Sequence, residues 1–415
     1  MKQIISTLST LLLILSAATA FAQTSDNTRY VDPFIGTTNY SVCNPGAVLP
    51  HGLMSVVPFN VMGSDLNVKD KDSGWWSAPY EYNNKYFTGF AHVTLSGVGC
   101  PEMGSLLIMP TTGTLDVDYR SYGSEYTDEV ARPGYYSNRL TKYGVRCEAT
   151  STMRTSIERF TFPAGHANLL FNLGNALSNE VGATLRRVSA TEFEGMRLLG
   201  TFCYNAQAVF PMYFVVRVSK TPKQSGYWKK QPELKGAAKD WDVHSGKYKI
   251  YSNYGRDMAG NDIGYFMSFD LQEAEQVVVQ VGVSFVSIAN ARQNLDAEQP
   301  TRNFARVEQE AHDAWAETLG RISVEGGTEE QRRVFYTALY HTQIHPNILQ
   351  DVNGEYPRME GDETLKTSTN RYTVFSLWDT YRNLAQLQTL LFPDKQEQMI
   401  GSMIDMYKEW GWMPK

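Results

Sequence analysis

A multi-domain chain, β first and α second, is the fold class the sequence predicts, and three observations predict it. From about Val31 to Asn290 the apolar residues come in short alternating runs, among them Leu169-Leu-Phe-Asn-Leu173, Met212-Tyr-Phe-Val-Val-Arg-Val218 and Val277-Val-Val-Gln-Val-Gly-Val-Ser-Phe-Val286. These runs are separated by Gly, Pro, Asn and Asp, the residues that turn a chain, with no helical stretch between them. After residue 300 the period changes to 3.6: Phe304, Val307, Ala311, Trp315 and Leu319 keep one helical face. Many short strands without helical interludes make a β-sandwich, and the change of period makes helices packed beside it.

Residues 23–290 form the sandwich, with 219–247, more polar and Lys-rich, expected as a long surface excursion between strands. Residues 291–327 are the linker, carrying an amphipathic helix over 301–319. Thr328-Glu-Glu-Gln331 is a capping box that opens a second helix through Phe335, Ala338, Leu339 and Thr342, and Pro346 stops it. A third helix is expected over 375–391, ended by Phe392-Pro393, and a fourth from about Lys395. Residues 328–415 thus supply about three helices, too few to bury their own apolar faces as a closed bundle. Trp410, Trp412 and Met413 arrive at the last residues, so the expectation is a fragment of a longer protein with its helical domain truncated.

The first 22 residues carry Lys2, the apolar run Leu11-Leu-Leu-Ile-Leu15, and Ala20-Phe-Ala22, a small-x-small site with cleavage after Ala22. A periplasmic or secreted protein is expected, with no lipid-anchoring cysteine after that site and no later apolar run long enough for a membrane helix. Without the leader, 37 basic side chains face 44 acidic ones, with no basic stripe, which excludes a nucleic-acid partner. Cys43, Cys100, Cys147 and Cys203 allow up to two disulfides in three pairings, few enough that the core must supply the stability.

The chemistry-bearing stretch is Phe375-Ser-Leu-Trp-Asp-Thr-Tyr-Arg382. A tryptophan face stacks on the C–H side of a pyranose, while a carboxylate and a guanidinium bind its hydroxyls, so Trp378, Asp379 and Arg382 fit a glycan pocket. The same spacing equally suits a buried Asp379–Arg382 pair one helical turn apart beside a core tryptophan. Asp72-Ser-Gly-Trp-Trp-Ser-Ala-Pro-Tyr80 places Trp75 and Trp76 in a stiff loop suited to stacking on sugars, or to packing. His92 sits in the glycine-punctuated segment Gly89–Gly104 and is either presented by a tight turn or satisfied inside the sandwich.

Other motifs fail on chemistry. Gly89–Gly104 has no Lys-Ser/Thr and no helix after it, so it is not a phosphate loop. Asp70, Asp72 and Glu81 echo a calcium loop but Trp75 stands where glycine is required. His341 and His345 have zinc spacing, yet no glutamate base lies between them and Pro346 comes at once after His345. No Gly-x-Ser-x-Gly elbow occurs.

Four motifs then accumulate in one order: Tyr30-Val-Asp-Pro-Phe-Ile-Gly-Thr37; Asn44-Pro-Gly-Ala47 with Pro50-His-Gly-Leu53; Gly89–Gly104 with Pro110-Thr-Thr-Gly113; and Phe375–Arg382. Together they resemble glycoside hydrolase family 92, the calcium-dependent exo-acting α-mannosidases, from about Tyr30 to Lys415. The resemblance implies a sandwich joined by linker helices to an (α/α)6 toroid, with a pocket at their junction that binds a mannose-containing glycan. It places the subsite tryptophan at Trp75 or Trp76 and a sugar-hydroxyl contact at Asp379, oriented by Arg382. It implies inverting hydrolysis, with α-1,2 links first and α-1,3, α-1,4 or α-1,6 open. The catalytic acid, the base and the Ca2+ ligands are implied beyond Lys415, leaving the catalytic and metal residues of this chain unassigned and the chain inactive alone.

This chain departs from the family at Ala91 and Thr94, where serine and a second histidine are common, and at Glu102 and Ser105, where aspartate is usual. These departures bear on linkage preference rather than on family. Two competing functions are a different sandwich-plus-toroid glycan enzyme, which would need an anion-binding Arg/Lys cluster, and a carbohydrate-binding module without catalysis.

Overall fold

The computed structural model describes residues 26–38, 42–61, 78–100, 102–177, 182–200, 209–236 and 243–414. The leader and its cleavage site, Asp70, Asp72, Trp75, Trp76 and Cys203 lie outside the described residues.

Alternation of apolar and polar side chains builds two antiparallel sheets that face each other. The eight-stranded sheet runs, edge to edge, Ala47–Val48, Ser55–Phe59, Gly89–Thr94, Met103–Thr112, Gly165–Asn172, Ile263–Leu271, Gln224–Lys230 and Tyr248–Ser252. The ten-stranded sheet is centred on Val209–Val218, Glu275–Ser284, Thr155–Phe162 and Arg146–Ser151. Their inner faces share one core, in which Phe171 meets Phe193 at 4.8 Å, and Phe90 meets Phe160 at 6.2 Å, between ring centroids. Aromatic side chains of this size supply most of the burial that holds the sheets together.

The region 219–247 departs from expectation. Gln224–Lys230 is a strand of the eight-stranded sheet rather than a surface excursion, and it buries Tyr227 and Trp228. Lysines at the end of that strand mask its buried aromatics in the sequence.

Helix α1 (Ile288–Glu298) comes after the last sandwich strand and lies on the ten-stranded sheet. Gly282 permits that approach, since a Cβ there would stand 2.5 Å from the Ala291 carbonyl oxygen. Helix α2 (Phe304–Leu319) begins at the Asn303 cap rather than at Thr301, and Trp315 on its buried face donates Nε1–H to the Val48 carbonyl at 2.7 Å. Helix α3 (Glu329–His341) opens with the expected capping box, Gln331 N–H to Thr328 Oγ1 at 3.1 Å and Thr328 N–H to Gln331 Oε1 at 2.9 Å. It ends at His341, before Pro346.

Two small hairpin pairings come next, Asn347–Ile348 with Tyr372–Thr373 and Glu355–Pro357 with Thr364–Lys366. The single helix expected over 375–391 is two: α4 (Leu377–Thr380) and α5 (Leu384–Leu391), separated at Asn383, whose backbone leaves the helical region at ψ −36°, φ −142°. Helix α6 (Pro393–Trp410) has proline in its first turn, where the missing N–H costs nothing, and closes on Gly411 at φ +84°. The chain is therefore mostly β followed by helices, as expected.

Candidate functional site

The motif around Trp378 forms a one-turn helix that buries none of its residues. Trp378 is 69 % exposed and Tyr381 54 % exposed, with Asp379 and Arg382 also on the surface. The Asp379 carboxylate accepts from the Ser376 hydroxyl, and the Asp379 N–H donates to the Ser376 carbonyl at 3.2 Å. Arg382 donates Nε–H to the Tyr381 hydroxyl at 2.8 Å and lies over that ring at 5.3 Å.

Among the described residues Asp379 and Arg382 form no ion pair, so two expectations change. The buried-pair reading of the motif fails, because both groups are exposed. Arg382 does not orient Asp379 here either; the Ser376 hydroxyl does, while Arg382 turns to the Tyr381 hydroxyl. Tyr381 is the member of this surface that sequence reasoning did not single out, although it lies within the quoted motif. Trp75 and Trp76, the other half of the expected subsite, are outside the described residues.

His92 is placed elsewhere. Strand alternation points it between the sheets, where it is fully buried, with Nδ1 2.7 Å from the Leu106 carbonyl and Nε2 3.1 Å from Glu158 Oε1. A carbonyl only accepts, so it is Nδ1–H that donates to Leu106. This is the core histidine of the two readings, and a sugar has no access to it.

Glu102, at the turn of the same hairpin, is buried, and burial pushes its carboxyl up to about 7. It accepts from the Met103 N–H at 3.1 Å, and hydrogen bonds from the Met103 and Gly200 backbone oppose that rise without cancelling it. Cys100 nearby is disulfide-bonded, while Cys43 and Cys147 carry thiols. Glu81, from the rejected calcium-loop pattern, accepts from the backbone N–H of Asn83 and Asn84 instead.

The histidines with zinc-pair spacing belong to the seam between sandwich and helices. His345 Nε2 accepts from the Ser96 N–H at 2.9 Å, so Nδ1 carries the proton, 2.6 Å from Asn347 Oδ1. His51, from the Pro50-His-Gly-Leu53 motif, places Nδ1 2.9 Å from the Pro346 carbonyl, and its own backbone bonds Gln343 and Ile348. Burial pushes His51 down to about 3, with the Lys395 charge adding to it, and pushes His345 down to about 4. The seam is completed by Arg154, which donates Nη1–H to Glu298 at 2.8 Å and Nε–H to the Gln350 carbonyl at 2.6 Å. Asp351 accepts there from Ser284, Asn290 and Asn294 at 2.7, 2.9 and 2.6 Å.

No group of three or more His, Cys, Asp or Glu that could hold a metal ion occurs among the described residues. No helix among the described residues is long and apolar enough to cross a membrane.

A family model described as the glycosyl hydrolase family 92 N-terminal domain matches residues 30–284, and one described as that family's catalytic domain matches residues 290–415. The chain belongs to glycoside hydrolase family 92. Among solved structures this family 92 chain is similar to a family GH92 α-mannosidase from Bacteroides thetaiotaomicron, at 27 % identity and a TM-score of 0.81, over 94 % of this chain and 51 % of that one. A second structure of that enzyme holds mannoimidazole. An inverting family GH92 mannosidase from Bacteroides thetaiotaomicron VPI-5482 shares the fold, with 21 % identity and a TM-score of 0.74 over 94 % of this chain and 50 % of that one. An uncharacterized secreted glycosidase of Arthroderma benhamiae is 26 % identical over 397 residues, 89 % of this chain and 47 % of its own. The chain spans about half the length of the relatives it matches.

Proposed function

We propose that this chain is the sugar-contacting part of an exported exo-acting α-mannosidase that removes terminal α-linked mannose, α-1,2 first, from N-glycans or mannans. The observation that carries the proposal is the adjacent exposure of Trp378 and Asp379 on a one-turn helix within the span matched by the family's catalytic-domain model. The indole offers a flat apolar face to a pyranose, and the carboxylate accepts from two hydroxyls beside it. Similarity to an α-mannosidase also solved with mannoimidazole supports mannose as the sugar.

In this reading the reaction is inverting. One carboxylic acid protonates the leaving oxygen, and a carboxylate roughly 6.5–9.5 Å away activates water on the opposite face of the ring. Both carboxylates, and the ligands of a calcium ion that would polarise mannose hydroxyls, belong to the part of the relatives that this chain does not span. The chain's own residues then bind and orient the sugar, and it is inactive alone. Non-catalytic glycan binding is the second reading for the isolated chain, favoured by the same exposed pair, since an indole and a carboxylate suffice to bind a sugar without transforming it.

The test is mannose release from α-1,2-, α-1,3- and α-1,6-linked mannobioses by the full-length gene product, with calcium and with a chelator. Calcium-dependent release supports the proposal and names the linkage. No release from any of the three sinks it.

A further inference from the structure

Pairing of Gln224–Lys230 with Tyr248–Ser252 forms one edge of the eight-stranded sheet, and it gathers lysines there. Lys229 stands directly opposite Lys249, and Lys230 opposite Tyr248. Alternation puts Lys229, Lys249 and Lys247 on one face of the pair and Lys230 with Ile250 on the other, so the charge wraps around the edge. Lys247 and Lys249 are exposed, and Lys229 and Lys230 half-buried.

Folding does not call for this arrangement. Like charges directly opposite on paired strands are unfavourable, and a single lysine would discourage another strand from adding to the edge. Lys220 and Lys223, just before the first of these strands, are each paired with a carboxylate, Glu275 and Asp270. Among the described residues the edge lysines form no such pair: Lys229 donates to the Ala259 carbonyl at 3.0 Å, while Lys230 and Lys249 lie over the rings of Tyr248 and Tyr251 at 5.6 and 5.4 Å. Two carboxylates are close by. Asp262 is half-buried and accepts from the Tyr248 hydroxyl at 2.8 Å, and Glu233 lies beside Gly246. Over residues 224–256 the sequence has seven basic side chains against three acidic ones, a surplus of four in a chain whose net charge is −6.

A partner of this edge must therefore be anionic, and the apolar side chains choose its kind. Val243 is 73 % exposed and Ile250 40 % exposed among these cations. An acidic polypeptide would match the lysines alone. A bilayer surface takes both, its anionic headgroups meeting the ammonium groups while aliphatic side chains and lysine stems enter the headgroup layer.

We infer that this lysine-rich sheet edge is a membrane-surface contact, through which the protein adsorbs to anionic lipid headgroups. The contact uses no residue around Trp378 and does not rest on the mannosidase reading.

Vesicle co-sedimentation of the full-length gene product tests it, with an equimolar mixture of phosphatidylcholine and phosphatidylglycerol against phosphatidylcholine alone. Binding to the anionic vesicles is expected at about 0.1 M salt and should be lost at about 1 M, where the screening length falls from about 10 to about 3 Å. At about 1 kcal/mol per lysine near an anionic surface, Lys247→Gln with Lys249→Gln should lower the partition coefficient about thirtyfold. Lys366→Gln with Lys408→Gln, at exposed positions elsewhere, makes the same change in net charge and should leave partitioning within about twofold of the parent. No binding to the anionic vesicles, equal binding to the neutral ones, or equal losses from the two pairs of substitutions overturns the inference. Binding to polyglutamate as tight as to vesicles of the same charge concentration overturns it as well, and makes an acidic polypeptide the partner.

Discussion

Acid should unlock the seam between the sandwich and the helices, and the buried histidines set how far. His51 and His345 are both enclosed, with folded values pushed down to about 3 and about 4 by burial, and Lys395 adds its charge against His51. Their ordinary value is 6.5. Because the folded values lie below the unfolded one, the unfolded chain takes up these protons first. The histidine contribution is whole above about pH 6.5 and is lost as pH falls through 6.5 toward 3. Between pH 7.5 and 4.5 each ring forfeits about 2.5 kcal/mol, about 5 kcal/mol together, at 1.36 kcal/mol per unit. A loss of that size is comparable with the whole stability of many domains. The other groups near these rings do not soften it: Lys395 disfavours a second cation, His341 is itself buried and pushed down, and Asn347, Gln343 and Ser96 are neutral. Denaturant titrations at the two pH values, on the parent and on His51→Gln and His345→Gln, isolate the effect from the carboxylates common to all three. Each variant should shrink the pH 7.5-to-4.5 difference by about 2 kcal/mol even where it lowers stability overall. A variant that keeps the full difference refutes the burial argument for that ring.

Glu102 should act in the opposite direction. Its carboxyl is raised to about 7 by burial, so its penalty is absent below about pH 4.5 and grows as pH rises through 7; Glu102→Gln should gain about 2–3 kcal/mol at pH 8 and nothing at pH 4, read by thermal melts. Asp351→Ala should cost about 3 kcal/mol, since Ser284, Asn290 and Asn294 lose one shared acceptor, and a melt within experimental error of the parent would show that the seam does not depend on it. Denatured without reductant, the chain should titrate two thiols, because Cys100 is disulfide-bonded while Cys43 and Cys147 carry thiols; four would contradict that state.

The parts of the fold legible in the sequence are those whose buried face is apolar. The runs around Leu170, Val215 and Val281 lie within strands, and the 3.6 period through Val307, Ala311 and Trp315 lies within α2. Helix α1, which periodicity does not reveal, buries Asn290 and Asn294 beside Ala291 and Leu295, because its inner face hydrogen-bonds Asp351 rather than filling an apolar space. Periodicity measures hydrophobicity and passes over such a face. The break between α4 and α5 is hidden for a related reason: apolar residues keep helical spacing across it, and one residue off the helical region is enough to end the hydrogen-bond ladder. At the site, the motif was legible and its geometry was not, since Ser376 and Tyr381 become contacts only once the turn is placed. His92 reads as a site residue because glycines surround it, whereas strand pairing decides where it points.

That placement explains how a surface helix with no buried side chain can be held where Trp378 and Asp379, the proposed sugar contacts, lie side by side. Helix α4 buries none of its side chains fully, so its position depends on the strand before it. Tyr372 is buried and paired with Ile348, its N–H bonded to Ser402 on α6 at 2.9 Å. The Ile348 N–H in turn bonds the His51 carbonyl at 2.9 Å, inside the sandwich seam. Two residues beyond Tyr372, Val374 sits at φ +62°, a conformation that a β-branched side chain adopts only when its surroundings impose it. Sandwich, hairpin and α6 thus converge on the residue that turns the chain into α4, and only after that turn does the Ser376 hydroxyl meet the Asp379 carboxylate. The polar seam of His51, Arg154 and Asp351 is therefore what gives an exposed tryptophan and carboxylate a fixed direction. A seam built from apolar side chains alone would bury as much surface but would specify that direction less closely, because hydrogen bonds are directional and dispersion contacts are not.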